Sequence, residues 1–403
     1  MPYQQQSCDL PAVSSPQSRR AILRGAGQGV AALAIGAATS LGASLPPVVQ
    51  AAGSVTVGYL KDGLTCEGSL FAAQAQDYFR DEGLDLKTVA GASPAALATG
   101  MMQGTVDAMQ DPAWALAPPL LPKGMNVGDM VATAGIQRGS MTIVVAADSP
   151  IHSLVDLRGQ TVAAADRWRF MFSMPISAAG LNATKDITWQ PGLPAGQVGQ
   201  AIKDGKVAAA TVHQPYASAI ESSGIGRILV MQTTPPQQDD YCCSVILPGK
   251  LVNADCQKAA AITRALMRGS AWMRAHPSEG AQLEVDVKQV TLALADNQRA
   301  ITHIDFFPSI QAASNNTLDL IKAFKRLGFL DPATSETTLL NQIFVPVTDE
   351  PAMPSTGGGG AIPADHFRIS EHPWLVGGGA ALLLLGAALR RRACASSPDG
   401  QAR

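Results

Sequence analysis

The sequence predicts an α/β body built as two lobes. Three observations predict it: strand-like and helix-like segments alternate from Gly53 onward, the cycle starts afresh near Ala147, and long helices without strands between them follow residue 247. Ser54–Tyr59 alternates β-branched with other residues and reads as a strand, whereas Leu70–Arg80 carries apolar side chains at helical spacing and ends at Glu82-Gly83. Leu84–Val89 is the next strand, Pro94–Gln103 a helix stopped by Gly104, Val106–Met109 a buried strand, and Pro112–Leu121 a helix with proline at its start. Met141–Ala146 is a continuous apolar strand, and the alternation as a whole points to a mainly parallel sheet.

The second cycle opens with the short helical stretch Ser153–Gly159. It continues through Thr161–Ala165, Phe170–Ala179, Ile187–Gln190, Ala195–Lys203, Val207–Val212, Pro215–Ser222 and Arg227–Met231, enough for a sheet of its own. Cys243–Leu247 is one more strand, leading back out. Asn253–Ala275, Glu279–Ala295 and Ser309–Leu327 read as helices that pack around the first lobe. The expected order is therefore lobe 1 over 53–146, lobe 2 over 147–242 and a helical return to lobe 1 over 243–350. Two crossings between lobes make a hinge.

The chain has 403 residues, 46% apolar, 15% charged and 5% aromatic, which suits two or three folded units and excludes a disordered chain. A net charge of −2 provides no basic field for nucleic acid, and six cysteines are too few for a disulfide scaffold. The charge is uneven. Arg19, Arg20 and Arg24 outweigh Asp9 in residues 1–52, and Arg390, Arg391, Arg392 and Arg403 outweigh Asp399 in residues 374–403, leaving an acidic middle.

The first end reads Ser18-Arg19-Arg20-Ala21-Ile22-Leu23-Arg24, then an uncharged Ala/Gly-rich run to about Leu45, then Pro46-Pro47 and a small-x-small pattern at Val49-Gln50-Ala51. This is the layout of a signal peptide over residues 1–52, and the arginine pair resembles the twin-arginine export signal. The second end is an apolar run, Trp374–Leu389, followed by three arginines. It is short against the roughly 20 residues of a spanning helix, but the arginines mark a cytoplasmic stop. A Gly/Pro-rich linker, 351–373, precedes it, and 390–403 is the expected cytoplasmic tail. Three alternatives stand for this run: a permanent transmembrane anchor, a sorting signal processed after export, and a buried helix.

Four segments carry a family resemblance across residues 53–346. They are Tyr78-Phe79-Arg80-Asp81-Glu82-Gly83-Leu84-Asp85-Leu86, "ATGMMQGTVDAM" at 98–109, "SLVDLRGQTVAA" at 153–164 and "ALMRGSAWMRAHPSEGAQL" at 265–283. In their order and spacing the chain resembles the extracytoplasmic solute-binding proteins of ABC importers. It looks closest to the nitrate, sulfonate and taurine type, which shares its fold with thiamine-pyrimidine precursor proteins. The resemblance implies a bilobal type II periplasmic-binding fold, a ligand between the lobes, and no chemistry. It further implies an ABC permease and its ATPase as partners, the latter because no Walker loop stands in this chain.

In open α/β sheets, ligands sit beyond the carboxyl ends of the strands, where helix N-termini offer N–H donors to an anion. That rule selects Lys61, Asp62, Thr65 and Cys66 after the first strand, Ser93 after the second, and Gln110 and Asp111 after the third. In the second lobe it selects Arg167, Trp168 and Arg169, then His213, Gln214 and Tyr216, with Tyr241 and Cys242 at the return crossing. Each has a plainer reading beside the functional one. Ser93 is a helix cap, Arg167 and Arg169 are paired with carboxylates, Trp168 is core, His213 is a structural hydrogen-bonder, and Lys61 and Arg138 are surface charges.

Cys66, Cys242, Cys243 and Cys256 are read in three ways: free buried thiols, a disulfide across the hinge or with Cys256, or a site for a soft metal or thiophilic ligand. Their spacing matches no zinc pattern. No nucleophile elbow or zinc-protease motif is present, so neither catalysis, a resident metal nor a cofactor is expected. The expected function is a membrane-tethered binder that captures a small solute, foremost an anion held by helix N-termini and the two arginines, with a thiamine-type pyrimidine second. A sensory receptor and a pyrimidine-synthesis enzyme are the alternatives from other classes.

Overall fold

The computed structural model describes residues 53–349, apart from residues 62, 119 and 236. The export signal, the linker, the apolar run at 374–389 and the tail all lie outside the described residues. Among the described residues no helix is long and apolar enough to cross a membrane.

Eleven strands are described: β1 (Gly53–Leu60), β2 (Leu84–Gly91), β3 (Ala108–Asp111), β4 (Met130–Gly139), β5 (Met141–Ala146), β6 (Thr161–Ala163), β7 (Thr188–Gln190), β8 (Ala209–His213), β9 (Gly226–Met231), β10 (Tyr241–Pro248) and β11 (Ile304–Asp305). They form a six-stranded sheet, β11-β4-β10-β3-β1-β2, and a five-stranded sheet, β7-β6-β8-β5-β9. Each sheet is mixed. β1 runs parallel to β2 and β3, and β6 to β7 and β8. The strands that carry the chain between lobes pair antiparallel: β10 with β3 and β4, and β5 with β8 and β9. This corrects the mainly parallel expectation. A strand that arrives from the other lobe is not delivered by a helical crossover, so nothing forces it parallel.

β5 pairs only in the second sheet. The first crossing is thus Gly139-Ser140, where both residues have positive φ (80° and 90°), and not the neighbourhood of residue 147. The second crossing spans 232–240, between β9 and β10. An apolar strand looks the same from sequence whichever sheet buries it, so the pattern alone leaves Met141–Ala146 with the first lobe, and its pairing with β8 and β9 moves it to the second.

β4 was not foreseen. Its sequence, MVATAGIQRG, is buried almost throughout and shows no alternation because both faces are covered. Gly135 is required there, since a Cβ would lie 2.4 Å from the Tyr241 ring and 2.5 Å from Ala313. Several long helices predicted from periodicity break at identifiable residues. Asp77, at φ 57°, divides Gly68–Ala75 from Tyr78–Asp81. Asp255 caps Cys256–Ala275 by accepting from the Lys258 N–H at 2.9 Å and separates it from Gly249–Ala254. Glu279–Ala295 resolves into Pro277–Asp286 and Leu294–Ile301, and Pro112–Leu121 into one 3-10 turn, Ala113–Leu116.

The helix Cys256–Ala275 crosses Gly68–Ala75 at Gly269, where an added Cβ would stand 2.0 Å from the Ser69 carbonyl oxygen and 2.9 Å from the Ala73 Cβ. Alanine gains about 1 kcal/mol of helix propensity over glycine, but overpacking costs about 1–3 kcal/mol, and here the obstacle is backbone that cannot rotate away. Gly269→Ala is therefore expected to lower the thermal unfolding midpoint; an unchanged or raised midpoint would show that the helices separate at no cost.

The lobes touch on both flanks of the space between them. On one flank Trp114 of the first lobe meets Trp168 of the second edge to face at 5.8 Å, and Phe170 meets Phe329 at 4.2 Å. On the other, the Ser222 hydroxyl donates to Asp296, and the Thr65 N–H donates to the Gln214 carbonyl at 3.3 Å.

Candidate functional site

Between these flanks lies a cleft of about 380 Å³ lined from both sheets. The carboxyl ends of β1 and β3 contribute Leu60, Gln110 and Asp111, and the turn after β1 contributes Leu64, Cys66 and Glu67. From the second lobe come Arg167 and Trp168 after β6, Gly192 to Ala195 after β7, and Thr211 to His213 of β8. Met141, Cys242 and Cys243 line the side where the chain crosses. A larger open hollow of about 520 Å³ lies in the second lobe alone, against residues 146–151, 159–161 and 202–208. It draws on one sheet and holds no cluster of functional side chains.

Asp111 and Arg167 face each other across the cleft, Arg167 Nη2 donating to Asp111 Oδ1 at 2.7 Å. Burial raises the Asp111 carboxyl above its ordinary value, and the Arg167 guanidinium opposes this without reversing it. Arg167 also lies 5.3 Å from the Trp168 ring centre. Trp168 packs edge to face on His213 at 4.9 Å. Burial, with Arg167 adding to it, pushes the His213 pKa down to about 3, so the imidazole is neutral.

Glu67 is 2% exposed and begins the helix Gly68–Ala75. Its Oε1 accepts from the Leu60 N–H at 3.0 Å and its Oε2 from Gln110 Nε2 at 2.7 Å. Burial nevertheless lifts its pKa to about 8, with the Asp111 charge contributing, so it holds a proton at neutral pH. Two lining groups keep an unpaired buried atom: Gln110 Oε1, an acceptor, and Arg167 Nε, a donor.

Cys66, Cys242 and Cys243 are free and buried, and all three line the cleft although Cys66 is distant in sequence from the other two. Hydrogen bonds to Cys242 and Cys66 hold the Cys243 proton well above the usual range, and burial adds to this. For Cys66 the Cys243 bond lowers the pKa, but burial and the neighbouring Cys242 and Glu67 outweigh it. Among the described residues no group of three or more His, Cys, Asp or Glu side chains is arranged to hold a metal ion.

The cleft thus brings together Cys66, Gln110, Asp111, Arg167, Trp168, His213 and Cys242 from the sequence-predicted set. The others that are described fall elsewhere. Lys61 is exposed beside the cleft. Thr65 is buried and donates to Asn297 Oδ1 at 2.7 Å. Ser93 caps its helix, accepting from the Ala96 N–H at 3.1 Å. Arg169 points away, 3.9 Å from Asp166 and against Phe170. The Gln214 carboxamide accepts from the Ser218 hydroxyl at 2.8 Å, and Tyr216 opens the next helix without lining the cleft. The Tyr241 hydroxyl donates to the Phe307 carbonyl at 3.0 Å. Asp62 lies outside the described residues. The Gly192–Ala195 turn is not foreseen by the sequence, Glu67 is reached only as part of the loop after the first strand, and Cys243 only as one of the cysteines weighed together. An acid inside the apolar stretch "GLTCEGSLF" was the available signal for Glu67.

The two arginines that argued for an anion are both matched by carboxylates. Arg169 lies outside the cleft, and Arg167 is neutralised by Asp111 across it. With Glu67 protonated and His213 neutral, the described residues of the lining carry no uncompensated charge.

Residues 50–285 match the model of the NMT1-like family, more than half of the chain, and the chain belongs to that family. Its fold is that of the extracytoplasmic solute-binding proteins. The periplasmic nitrate-binding protein NrtA from Synechocystis PCC 6803 superposes with a TM-score of 0.60 at 14% identity, covering 72% of this chain and 86% of that one. The alkanesulfonate-binding protein SsuA from Xanthomonas axonopodis pv. citri, bound to MOPS, gives 0.57 at 16%, covering 72% and 97%. The sulfonate and nitrate resemblance read from the sequence therefore holds in the fold. The same fold also houses the desulfurization enzyme DSZB, at TM-score 0.50 and 15% identity over 72% of this chain and 98% of that one. No curated protein matches the chain.

Proposed function

We propose that this protein is the extracytoplasmic solute-binding component of an ABC importer, tethered to the membrane by its C-terminal apolar run, and that it captures a small solute as its two lobes close. The observation that carries this is the cleft itself: it lies beyond the strand ends of two sheets joined by two crossings, and both lobes supply its walls. Its volume lies in the range of small-molecule sites. The export signal and the apolar run followed by Arg390-Arg391-Arg392 support delivery outside the cytoplasm with attachment to the membrane. Binding rather than catalysis suits the lining, where Glu67 is protonated, His213 is neutral, Asp111 is paired with Arg167, and Cys66 and Cys243 are held protonated.

The balanced charge favours an uncharged solute over an anion. The unpaired Gln110 Oε1 and Arg167 Nε call for a ligand carrying both a hydrogen-bond donor and an acceptor, with a flat face for Trp168. Among the two ligand classes that the resemblance implies, a pyrimidine meets these terms and nitrate or a sulfonate does not. Thermal unfolding in the presence of neutral aminopyrimidines, nitrate, taurine and alkanesulfonates tests this. A true ligand at 100 times its dissociation constant adds about 2.7 kcal/mol of stability. A shift with anions alone would overturn the solute class, and no shift with any small solute would overturn the transport role.

A further inference from the structure

Both carboxyl oxygens of Glu67 face N–H donors. Oε1 accepts from the Leu60 backbone at 3.0 Å and Oε2 from Gln110 Nε2 at 2.7 Å. A carboxylate satisfies that arrangement and a carboxylic acid does not, because its O–H needs an acceptor. The Leu60 N–H is backbone and cannot become one. The Gln110 amide can, since its two ends have nearly the same shape. Turned end for end, it sets Oε1 against Glu67 and brings Nε2 to the place of the unpaired Oε1. The turn gives up a long contact, 3.4 Å, from Nε2 to the Glu67 carbonyl, which draws the amide back once the proton leaves. Gln110 lines the cleft, so the proton on Glu67 decides which end of the amide a solute meets.

We propose that Glu67 and Gln110 are a proton-set pair that couples solute capture to proton release: with the proton on Glu67 the amide turns its NH2 into the cleft, and a solute that donates a hydrogen bond to Gln110 Oε1 is seated only as that proton leaves for solvent. This rests on the proposed solute carrying a donor. Its N–H or O–H holds Oε1 in the cleft, Nε2 then faces Glu67 Oε2, and each carboxyl oxygen has to accept. One proton is released for each solute bound, so binding tightens as pH rises. Burial lifts Glu67 to about 8, and affinity is therefore expected to be about tenfold weaker at pH 7 than at pH 9. Of the titratable groups that face Glu67, Asp111 at the end of β3 is paired with Arg167 from the second lobe. Glu284, on the helix Pro277–Asp286, keeps its own proton through burial, and so does Cys66 on the same turn as Glu67. His213 in the opposite wall is neutral.

Purified full-length protein is titrated with 4-aminopyrimidine, which is uncharged from pH 7 upward, by calorimetry at pH 7 and pH 9 in pairs of buffers that differ in ionisation enthalpy. The expected result is about one proton released per solute at pH 7, almost none at pH 9, and about tenfold tighter binding at pH 9. Glu67→Gln fixes Gln110 in the turned sense, so it should bind weakly at both pH values and release no proton. Binding without proton release at pH 7, or a substituted protein as tight as the unsubstituted one at pH 9, would overturn the proposal. Infrared difference spectra of the solute-free protein between pH 7 and pH 9 read the same pair without any solute. Glu67→Gln should remove from that difference one carboxylic acid band and, together with it, one side-chain amide carbonyl shift. Removal of the acid band alone, or no change in the difference, overturns the proposal. If 4-aminopyrimidine binds at neither pH while both infrared changes are seen, the solute class is wrong and the proton-set pair stands.

Discussion

Arg167→Ala is expected to lower stability by roughly 3 kcal/mol and the unfolding midpoint by on the order of 10 °C, and to abolish stabilisation by solute. The side chains of Arg167 and Asp111 are 19% and 11% exposed, so their ion pair is largely screened from water. Removing one partner leaves the other charge buried and uncompensated, which costs far more than losing a surface pair. The sign of the Asp111 shift adds a second expectation. Burial raises its pKa more than Arg167 lowers it, so desolvation exceeds what the bridge returns. The pair therefore sets lobe geometry more than it stabilises the fold. Asp111→Leu combined with Arg167→Met should recover the midpoint to within about 1 kcal/mol while solute response stays lost. Thermal unfolding of the two singles and the double measures this. A single-substitution cost near that of an exposed pair, about 0.5 kcal/mol, would mean that the bridge does not hold the lobes.

The second large effect is on pH. Glu67 is raised from 4.5 to about 8 and Asp240 from 3.8 to about 7, burial being the main cause for both, and Glu284 is raised well above its ordinary value for the same reason. Between the unfolded and folded values the folded protein holds a proton that the unfolded chain has released, so stability falls as pH rises. His213, at about 3 against 6.5, acts in the opposite sense, but only below pH 6.5, where the unfolded chain takes up a proton that the folded one refuses. From pH 6.5 to 8 the carboxyls are thus unopposed by His213. Glu67 alone accounts for about 1.4 kcal/mol per pH unit in that window. The midpoint should drop between pH 6.5 and 8, and Glu67→Gln should flatten part of the drop. The substitution is accommodated because the Gln110 amide, turned end for end, can accept from the new amide with its unpaired Oε1. Constant stability across that window would show that Glu67 is ionised in the fold.

The two-lobe plan was legible in the sequence because it rests on periodicity, and strands such as Ser54–Tyr59, Leu84–Val89 and Arg227–Met231 fall where their patterns put them. What escaped depends on contacts between distant segments. β4 carries a glycine at 135 because Tyr241 and Ala313 press on it there, and no local rule separates that from a loop. The sheet to which Met141–Ala146 belongs is decided by partners at 209–213 and 226–231. At the site, the rule that ligands lie beyond strand ends found Asp111, Arg167, Trp168 and His213. It could not show that Arg167 is neutralised from the opposite lobe, since a bridge between residues 56 positions apart leaves no mark on spacing. Thr65 and Tyr241 satisfy the same rule yet point into packed interior, because a side chain's direction at the end of a strand is set by tertiary contacts.

The two tethers between the lobes are unequal: Gly139-Ser140 is two residues, whereas 232–240 is nine. A two-residue link admits rotation but almost no translation, so it acts as a fulcrum. Displacement then grows with distance from Ser140. The tip of the helix that begins at Asp166 would swing through a wide arc, while Met141 and the thiols beside the pivot would hardly travel. The protein would thus open at its tryptophan-lined end and keep its sulfur-lined end as a fixed floor.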